Sequence, residues 1–289
     1  MAYDRRSFLK QTAGLTTGMA LLGSNLQASE FMNEKKKIGP FGLQLWSVRD
    51  DLAKDARATL KSVAAAGYKQ IESFEGAQGM FWGMSAAEFK KFMGGLGMTI
   101  ISSHCDINKD FERKAADAAS IGMKYLVCPW VGPQKSTDDY KKLADSFNEK
   151  GKICKKNGIR FAYHNHAYSF QAIDGVFPQD VMMKNTDASL VDFEMDIYWV
   201  VTGGQDPEAW FKKYPNRFRA CHVKDRIKGA TEEDASCVLG QGSINFPKIL
   251  KTAQLKGMKY FIVEHERWDN TTPLQAAADD AAYMKKLMI

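Results

Sequence analysis

Five histidines occur in the 289 residues, and each lies in or at the end of a short apolar run, beside carboxylates, a lysine or hydroxyls. The runs end Ser102-Ser103-His104, Tyr163-His164-Asn165-His166, Cys221-His222-Val223-Lys224-Asp225 and Ile262-Val263-Glu264-His265-Glu266. Two more end Ile71-Glu72-Ser73-Phe74 and Phe193-Glu194-Met195-Asp196. Runs of this kind read as strands, in which residues i and i+2 share a face. His164 and His166 then share a face, as do Glu194 and Asp196, His222 and Lys224, and Glu264 and Glu266. Carboxylates and imidazoles gathered in one place repel or stay unpaired unless a cation holds them. A mixed nitrogen and oxygen donor set suits Mn²⁺, Zn²⁺, Co²⁺ or Fe²⁺ more than Ca²⁺. Asp196, His222 and Glu264 come from three consecutive runs at equivalent heights, which makes them the leading ligand candidates. Cys221 adjoins His222 and must point to the opposite face, so no thiol is needed. His265 alternates to the outer face and reads as structural.

The elements that carry these residues recur. A helical stretch, a glycine and a short apolar strand follow one another at Gly67, Gly97, Gly122, Gly158 and Gly257. A glycine just past a helix end takes the left-handed conformation that releases the chain into a strand. The strands expected are Phe41–Ser47, Gln70–Phe74, Thr99–His104, Tyr125–Val131, Arg160–His166, Leu190–Tyr198, Phe218–Lys224 and Tyr260–His265. Eight alternating β/α units in about 250 residues predict an α/β fold, a single-domain (β/α)8 TIM barrel over residues 38–289. Gly240-x-Gly242 lacks the third glycine of a dinucleotide loop and does not follow the first strand, so no nucleotide cofactor is expected. In such a barrel, function sits at the C-terminal ends of the strands. Trp46, Trp130 and Trp199 fall there, placed either to stack on a ligand's apolar face or simply to fill the rim. Glu72 and His104 fall there too, each with a structural reading beside that of a substrate contact.

Composition agrees with a globular chain: 45% hydrophobic, 26% charged and 11% aromatic. A net charge of +6 is too mild and too scattered for a nucleic-acid partner. Residues 1–28 read as an export signal. Asp4-Arg5-Arg6-Ser7-Phe8-Leu9-Lys10 is a twin-arginine pattern, Thr12 to Leu22 is mildly apolar, and Leu26-Gln27-Ala28 is a small-residue cleavage site. The apolar stretch is too short and polar to anchor the chain in a membrane. Residues 29–37 read as a charged spacer. The expected partner is the Tat export machinery, and the expected location the periplasm. Five cysteines, an odd number, three of them in or at the ends of expected strands, fit free thiols in a protein folded before export.

These residues resemble the sugar isomerase/epimerase superfamily, with its xylose-isomerase-like TIM barrel. The similarity runs from Gly42-Leu43-Gln44-Leu45-Trp46-Ser47 to the end, and Gly240-Gln241-Gly242-Ser243-Ile244-Asn245-Phe246 is similar to the family's Gly-x-Gly turn. The resemblance implies a divalent metal held by a strand-five Glu, and by Asp196, His222 and Glu264. The strand-five position departs, because His164 stands where the Glu is expected. His164 then serves as a ligand, or Glu194 supplies the carboxylate, or the metal has been lost.

The chemistry implied is proton transfer beside a sugar carbonyl, with the metal holding adjacent substrate oxygens. Glu264, His166 or His104 could act as the base, and Lys224 could donate to the developing oxyanion. Return of the proton gives isomerisation or epimerisation. Loss of a β-substituent gives dehydration or elimination from a keto-sugar, keto-inositol or 3-keto-glycoside. The expected substrate is a small carbohydrate contacted by Trp46, Glu72, His104, Trp130 and Trp199. Export, and the lack of an Arg or Lys cluster at a helix N-terminus, point away from sugar phosphates. An amidohydrolase would carry its His-x-His on strand one, where Gln44 and Trp46 stand. An abasic-site endonuclease shares the fold, but its several metals and nucleic-acid substrate fit poorly with five histidines and a weakly basic chain. A sugar-binding protein without catalysis remains as an alternative, and a homo-oligomer is left open.

Overall fold

The computed structural model describes residues 36–289. Eight parallel strands close into one barrel: β1 (Gly42–Gln44), β2 (Gln70–Phe74), β3 (Thr99–His104), β4 (Tyr125–Cys128), β5 (Arg160–His164), β6 (Val191–Asp196), β7 (Phe218–Val223) and β8 (Tyr260–Val263). Each pairs with its sequence neighbour, and β8 returns to β1 with Gly42 opposite Ile262 and Leu43 opposite Val263. Outer helices follow the strands, among them Ala56–Ala66, Ala86–Gly95, Phe111–Ile121, Thr137–Lys156 and Pro273–Lys286. The architecture is the expected single-domain (β/α)8 barrel. The expected signal, and the spacer as far as residue 35, lie outside the described residues. Lys37 pairs antiparallel with Met288, which ties the segment leading into β1 to the last residues of the chain.

Local chemistry sets the boundaries. All five junction glycines have positive φ, between 68° and 104°. At Gly257, φ is +99° and a Cβ would lie 2.3 Å from Asn216 Oδ1, so only glycine fits. Ser85 and Glu88 form a capping box that starts helix Ala86–Gly95. Two strands stop earlier than the apolar pattern suggests. β1 ends at Gln44 because the Gln44 side chain accepts from Trp46 N at 3.1 Å, starting a 3-10 turn over Leu45–Val48. β6 ends at Asp196, which caps helix Ile197–Thr202 by accepting from Trp199 N at 3.2 Å. Ile197 and Tyr198 are thus helical, not strand. β4, β5, β7 and β8 also end short of their expected limits, which leaves Pro129–Val131, Asn165–His166, Lys224 and Glu264–His265 at the mouth.

Alternation then divides the strands. Leu43, Ile71, Tyr163, Phe193, Met195, Cys221, Val223 and Val263 join the large apolar core. Their neighbours Gln44, Glu72, His164, Glu194, Asp196, His222 and Glu264 are buried and polar. All five cysteines are free. Among the described residues no helix is long and apolar enough to cross a membrane.

After β7 a short antiparallel ribbon, Asp225–Arg226 with Ser236–Cys237, leads to the glycine turn. Asp225 is not the ion-pair partner of Lys224 that adjacency suggests. Its carboxylate accepts from the backbone N–H groups of Arg226, Gly240, Gly242 and Ile244, at 2.8 to 3.1 Å. A Cβ on Gly242 would lie 2.3 Å from Asp225 Oδ1, so the turn closes only around glycine.

Candidate functional site

Strand register brings the polar residues to one level. Asp196 lies opposite His222 across β6 and β7, and His164 opposite Glu194 across β5 and β6. Glu72 lies beside Gln44 and Ser102. The side chains form two layers. In the upper layer His222 Nδ1 is 3.1 Å from Glu264 Oε2 and 3.7 Å from Asp196 Oδ2, and His164 Nε2 is 3.8 Å from Asp196 Oδ2. In the lower layer Glu72 Oε1 is 2.7 Å from His222 Nε2, while Glu194 Oε2 is 3.1 Å from His164 Nδ1 and 2.9 Å from His104 Nε2. Gln44 Nε2 and Ser102 Oγ donate to Glu72, at 2.8 and 2.5 Å. Lys224 stands beside the upper layer, 3.4 Å from Glu264 Oε2, and is paired with Glu266.

Burial makes these charges interdependent. Burial opposes charge on Glu72, but His104 and His222 hold it well below the usual carboxylate range. Glu264 is likewise held low, against burial, by His222 and Lys224. Burial and the charge of Glu72 push Glu194 up to about 7. His104, despite burial, is raised to about 10 by Glu72 and Glu194. His222 is raised well above the ordinary range by Glu194 and Glu264, again against burial. His164 goes the other way, held neutral by burial and by His222 and His104. His166 is held neutral by burial and by His164.

A cavity of about 540 Å³ opens above this cluster. Its walls include His104, His164, His166 and Glu264, with Trp46, Trp130 and Trp199 around them. Trp130 is 55% exposed and Trp46 40%, high values for such large rings. His166 sits among aromatic rings, 4.6 Å from Trp130 and 5.3 Å from Trp199 between centroids. A second wall carries Glu75, Asp106 and Lys109. Lys114, itself buried, fixes Glu75 at 2.6 Å.

The family described as xylose isomerase-like TIM barrel matches residues 60–287. The chain belongs to this family. A sugar phosphate isomerase/epimerase from Parabacteroides distasonis is 33% identical in sequence, with 86% of this chain and 98% of that one superposed at a TM-score of 0.75. The inosose dehydratase of Clostridium beijerinckii is 28% identical over 166 residues, 52% of this chain and 55% of that protein. The chain thus spans about half the length of the curated relatives it matches. The IolI protein, solved with a bound zinc atom, shares the fold at a TM-score of 0.68 and 15% identity.

This xylose isomerase-like barrel has the residues to hold a divalent metal. Asp196, His222 and Glu264 form one buried cluster with ligand atoms within 4.8 Å of one another, and His104, His164, Glu194 and His222 form another. Asp196 Oδ2 is buried without a hydrogen-bond partner, an expensive state for a carboxylate oxygen. The upper-layer separations of 3.1 to 3.8 Å are those of atoms sharing one ion. Bonds of about 2.1 Å place tetrahedral neighbours about 3.4 Å apart.

The residues singled out in the sequence thus divide by place. His164, Asp196, His222, Glu264 and Lys224 meet in the upper layer. His104 and Glu72 lie below it, but His104 reaches the cavity while Glu72 is fully buried and does not. Trp46, Trp130, Trp199 and His166 surround the opening. His265 bonds Asp280 on the outer helix Pro273–Lys286, at 3.0 Å, as its outward alternation predicts. Gln44, Ser102, Glu75 and Lys114 carried no sequence signal, being ordinary polar residues that gain meaning only from their partners.

Proposed function

We propose that the barrel is a divalent-metal-dependent enzyme that moves a proton next to the carbonyl of a sugar or keto-sugar, an isomerase or epimerase. The observation that carries this reading is the orphaned Asp196 Oδ2, facing His222 and His164 beneath a cavity that His164 and Glu264 line. A metal held by Asp196, His222, Glu264 and His164 supplies Lewis-acid stabilisation of negative charge on adjacent substrate oxygens.

The chain's own groups divide the proton work. Titratable pairs pushed apart by their surroundings mark acid and base. His166, neutral and in the cavity wall, is fit to accept a proton. His104, charged and reaching the same cavity, is fit to give one. Lys224 sets Glu264 in place and adds positive charge beside the developing oxyanion. Trp46, Trp130 and Trp199 offer apolar faces to a sugar ring. Glu75, Asp106 and Glu266 outnumber Lys109 in the walls, which supports an uncharged sugar over a phosphorylated one.

Relatives named inosose dehydratase favour a second outcome on the same site, in which the proton's removal is followed by loss of water. The twin-arginine pattern at Arg5-Arg6 supports a periplasmic enzyme exported by the Tat pathway. The test is exchange of solvent deuterium into the carbon beside the carbonyl, across a panel of keto-sugars and keto-inositols. Exchange that disappears in Glu264→Gln supports the reading, and a new conjugated carbonyl absorbance marks elimination. No exchange with any panel member by the metal-loaded protein overturns it.

A further inference from the structure

We infer that two buried glutamates, Glu194 beneath His164 and Glu72 beneath His222, fix the tautomers of both histidines and make this a two-nitrogen, two-carboxylate centre selective for transition metals over Mg²⁺. The inference rests on the metal-centre reading above and adds to it what the lower layer is for.

Each histidine has one nitrogen in each layer. His164 turns Nδ1 to Glu194 Oε2 at 3.1 Å and Nε2 toward Asp196 Oδ2 at 3.8 Å. His222 turns Nε2 to Glu72 Oε1 at 2.7 Å and Nδ1 toward Glu264 Oε2 at 3.1 Å. A carboxylate accepts hydrogen bonds, so His164 Nδ1 and His222 Nε2 carry protons toward the lower layer; His222 Nδ1 also faces Glu264, so this ring gives up a second proton when a metal binds there. The upper-layer nitrogen of each ring is then the one left to present a lone pair to a metal. Those of His222 and His164 face Asp196 Oδ2, at 3.7 and 3.8 Å, and that of His222 also faces Glu264 Oε2 at 3.1 Å. Asp196 Oδ2, which both rings face, has no hydrogen-bond partner. A histidine ligand whose second N–H is held by a carboxylate is oriented and made more basic.

The two glutamates are themselves anchored. Glu72 is fully buried and is held by Gln44 and Ser102 as well as His222. Glu194 is fully buried, and His104 binds the same oxygen that His164 uses. His222 Nε2 also lies 3.3 Å from Glu194 Oε2, so both glutamates hold that ring's proton in the lower layer. Glu194 is thus a positioning residue and not the missing first-layer carboxylate: its Oε2 faces the Nδ1 side of His164, away from Asp196. Two neutral nitrogens and two carboxylates leave the first layer neutral around a divalent ion. Such a set favours Zn²⁺, Co²⁺ or Fe²⁺, while Mg²⁺ demands oxygen ligands and keeps its water.

The direct test needs no variant. Nitrogen-15 correlation spectra of the zinc-loaded wild type should show His164 protonated at Nδ1 and bound through Nε2, and His222 protonated at Nε2 and bound through Nδ1. The opposite tautomer at either ring overturns the inference. Chelator competition gives the second readout: Glu194→Gln and Glu72→Gln should each weaken Zn²⁺ binding about 10- to 100-fold. His164→Glu should move the Zn²⁺ to Mg²⁺ affinity ratio toward Mg²⁺ by at least about 10-fold. Zinc affinities within twofold of wild type in both glutamine variants, or an unchanged ratio in His164→Glu, would sink it. A wild type that binds no zinc at all removes the proposed function instead, before these comparisons begin.

Discussion

Glu72 Oε1 lies 2.7 Å from His222 Nε2, although 150 residues separate them in sequence and their strands are not neighbours in the barrel. The bond crosses the barrel interior and ties β2 to β7. Glu72 also accepts from Gln44 and Ser102, so a single carboxylate satisfies three buried donors. Glu72→Leu takes this acceptor from all three, leaving Glu194 Oε2, 3.3 Å from His222 Nε2, as the nearest replacement for one of them. The expected loss is about 3–5 kcal/mol of unfolding free energy, the range for removing one partner of a buried charged pair. Urea unfolding followed by circular dichroism checks it. A loss below about 1 kcal/mol would mean that these donors find other acceptors.

Trp130 is the most exposed of the rim rings and packs edge-on against His166. Trp130→Ala therefore removes a ligand-facing surface at little cost to the fold. For the sugar found by deuterium exchange, KM should rise about 2- to 10-fold, the scale of one aromatic contact. Steady-state kinetics should show kcat changed much less. An unchanged KM would assign Trp130 to the rim alone.

Asp225 holds the glycine turn through four backbone N–H groups and exposes almost nothing to solvent. Asp225→Ala strands those donors in a closed turn that has no room for replacement side chains. The unfolding free energy should fall by about 3–5 kcal/mol. Thermal and urea unfolding measure it, and proteolysis near residues 236–245 should begin before global unfolding.

Much of this arrangement was legible in advance, for physical reasons that differ by residue. Glycine at a helix end has one common use, so Gly67 and Gly257 marked their junctions correctly. Histidines and carboxylates are costly to bury, so their presence in apolar runs pointed to the barrel mouth. The ends of strands were less legible. Whether Gln44 or Asp196 continues a strand or caps a turn depends on a side-chain bond that apolar patterning does not contain. Register was illegible too. Nothing in Lys224-Asp225 tells that the lysine turns to Glu264 and Glu266 while the aspartate turns to a loop some fifteen residues on. Glu194 was visible as a carboxylate, but its place below His164 is a matter of two layers, which alternation alone does not order.

The buried thiols set a pH limit on stability. Burial pushes the Cys128 and Cys154 thiols up to about 12. In the unfolded chain a thiol ionises near 8.5. The folded state therefore keeps protons that the unfolded state gives up as pH rises. The stability these groups contribute is complete below about pH 8 and falls as pH climbs toward 12, by up to about 1.4 kcal/mol per pH unit for each thiol. Urea midpoints between pH 8 and 11 should decline, and Cys154→Ala should make the decline shallower. A midpoint that holds constant to pH 11 would contradict the burial of these groups in the fold.

The central claim is that Asp196, His222, Glu264 and His164 hold one divalent ion. Its most direct test is metal content by mass spectrometry, on the purified wild type and on His222→Ala, after equal loading and buffer exchange. The account predicts about one Mn, Zn, Co or Fe per chain in the wild type, and near none in the variant, which should keep the circular dichroism of the barrel. No metal in the wild type after loading, or equal metal in His222→Ala, would contradict it.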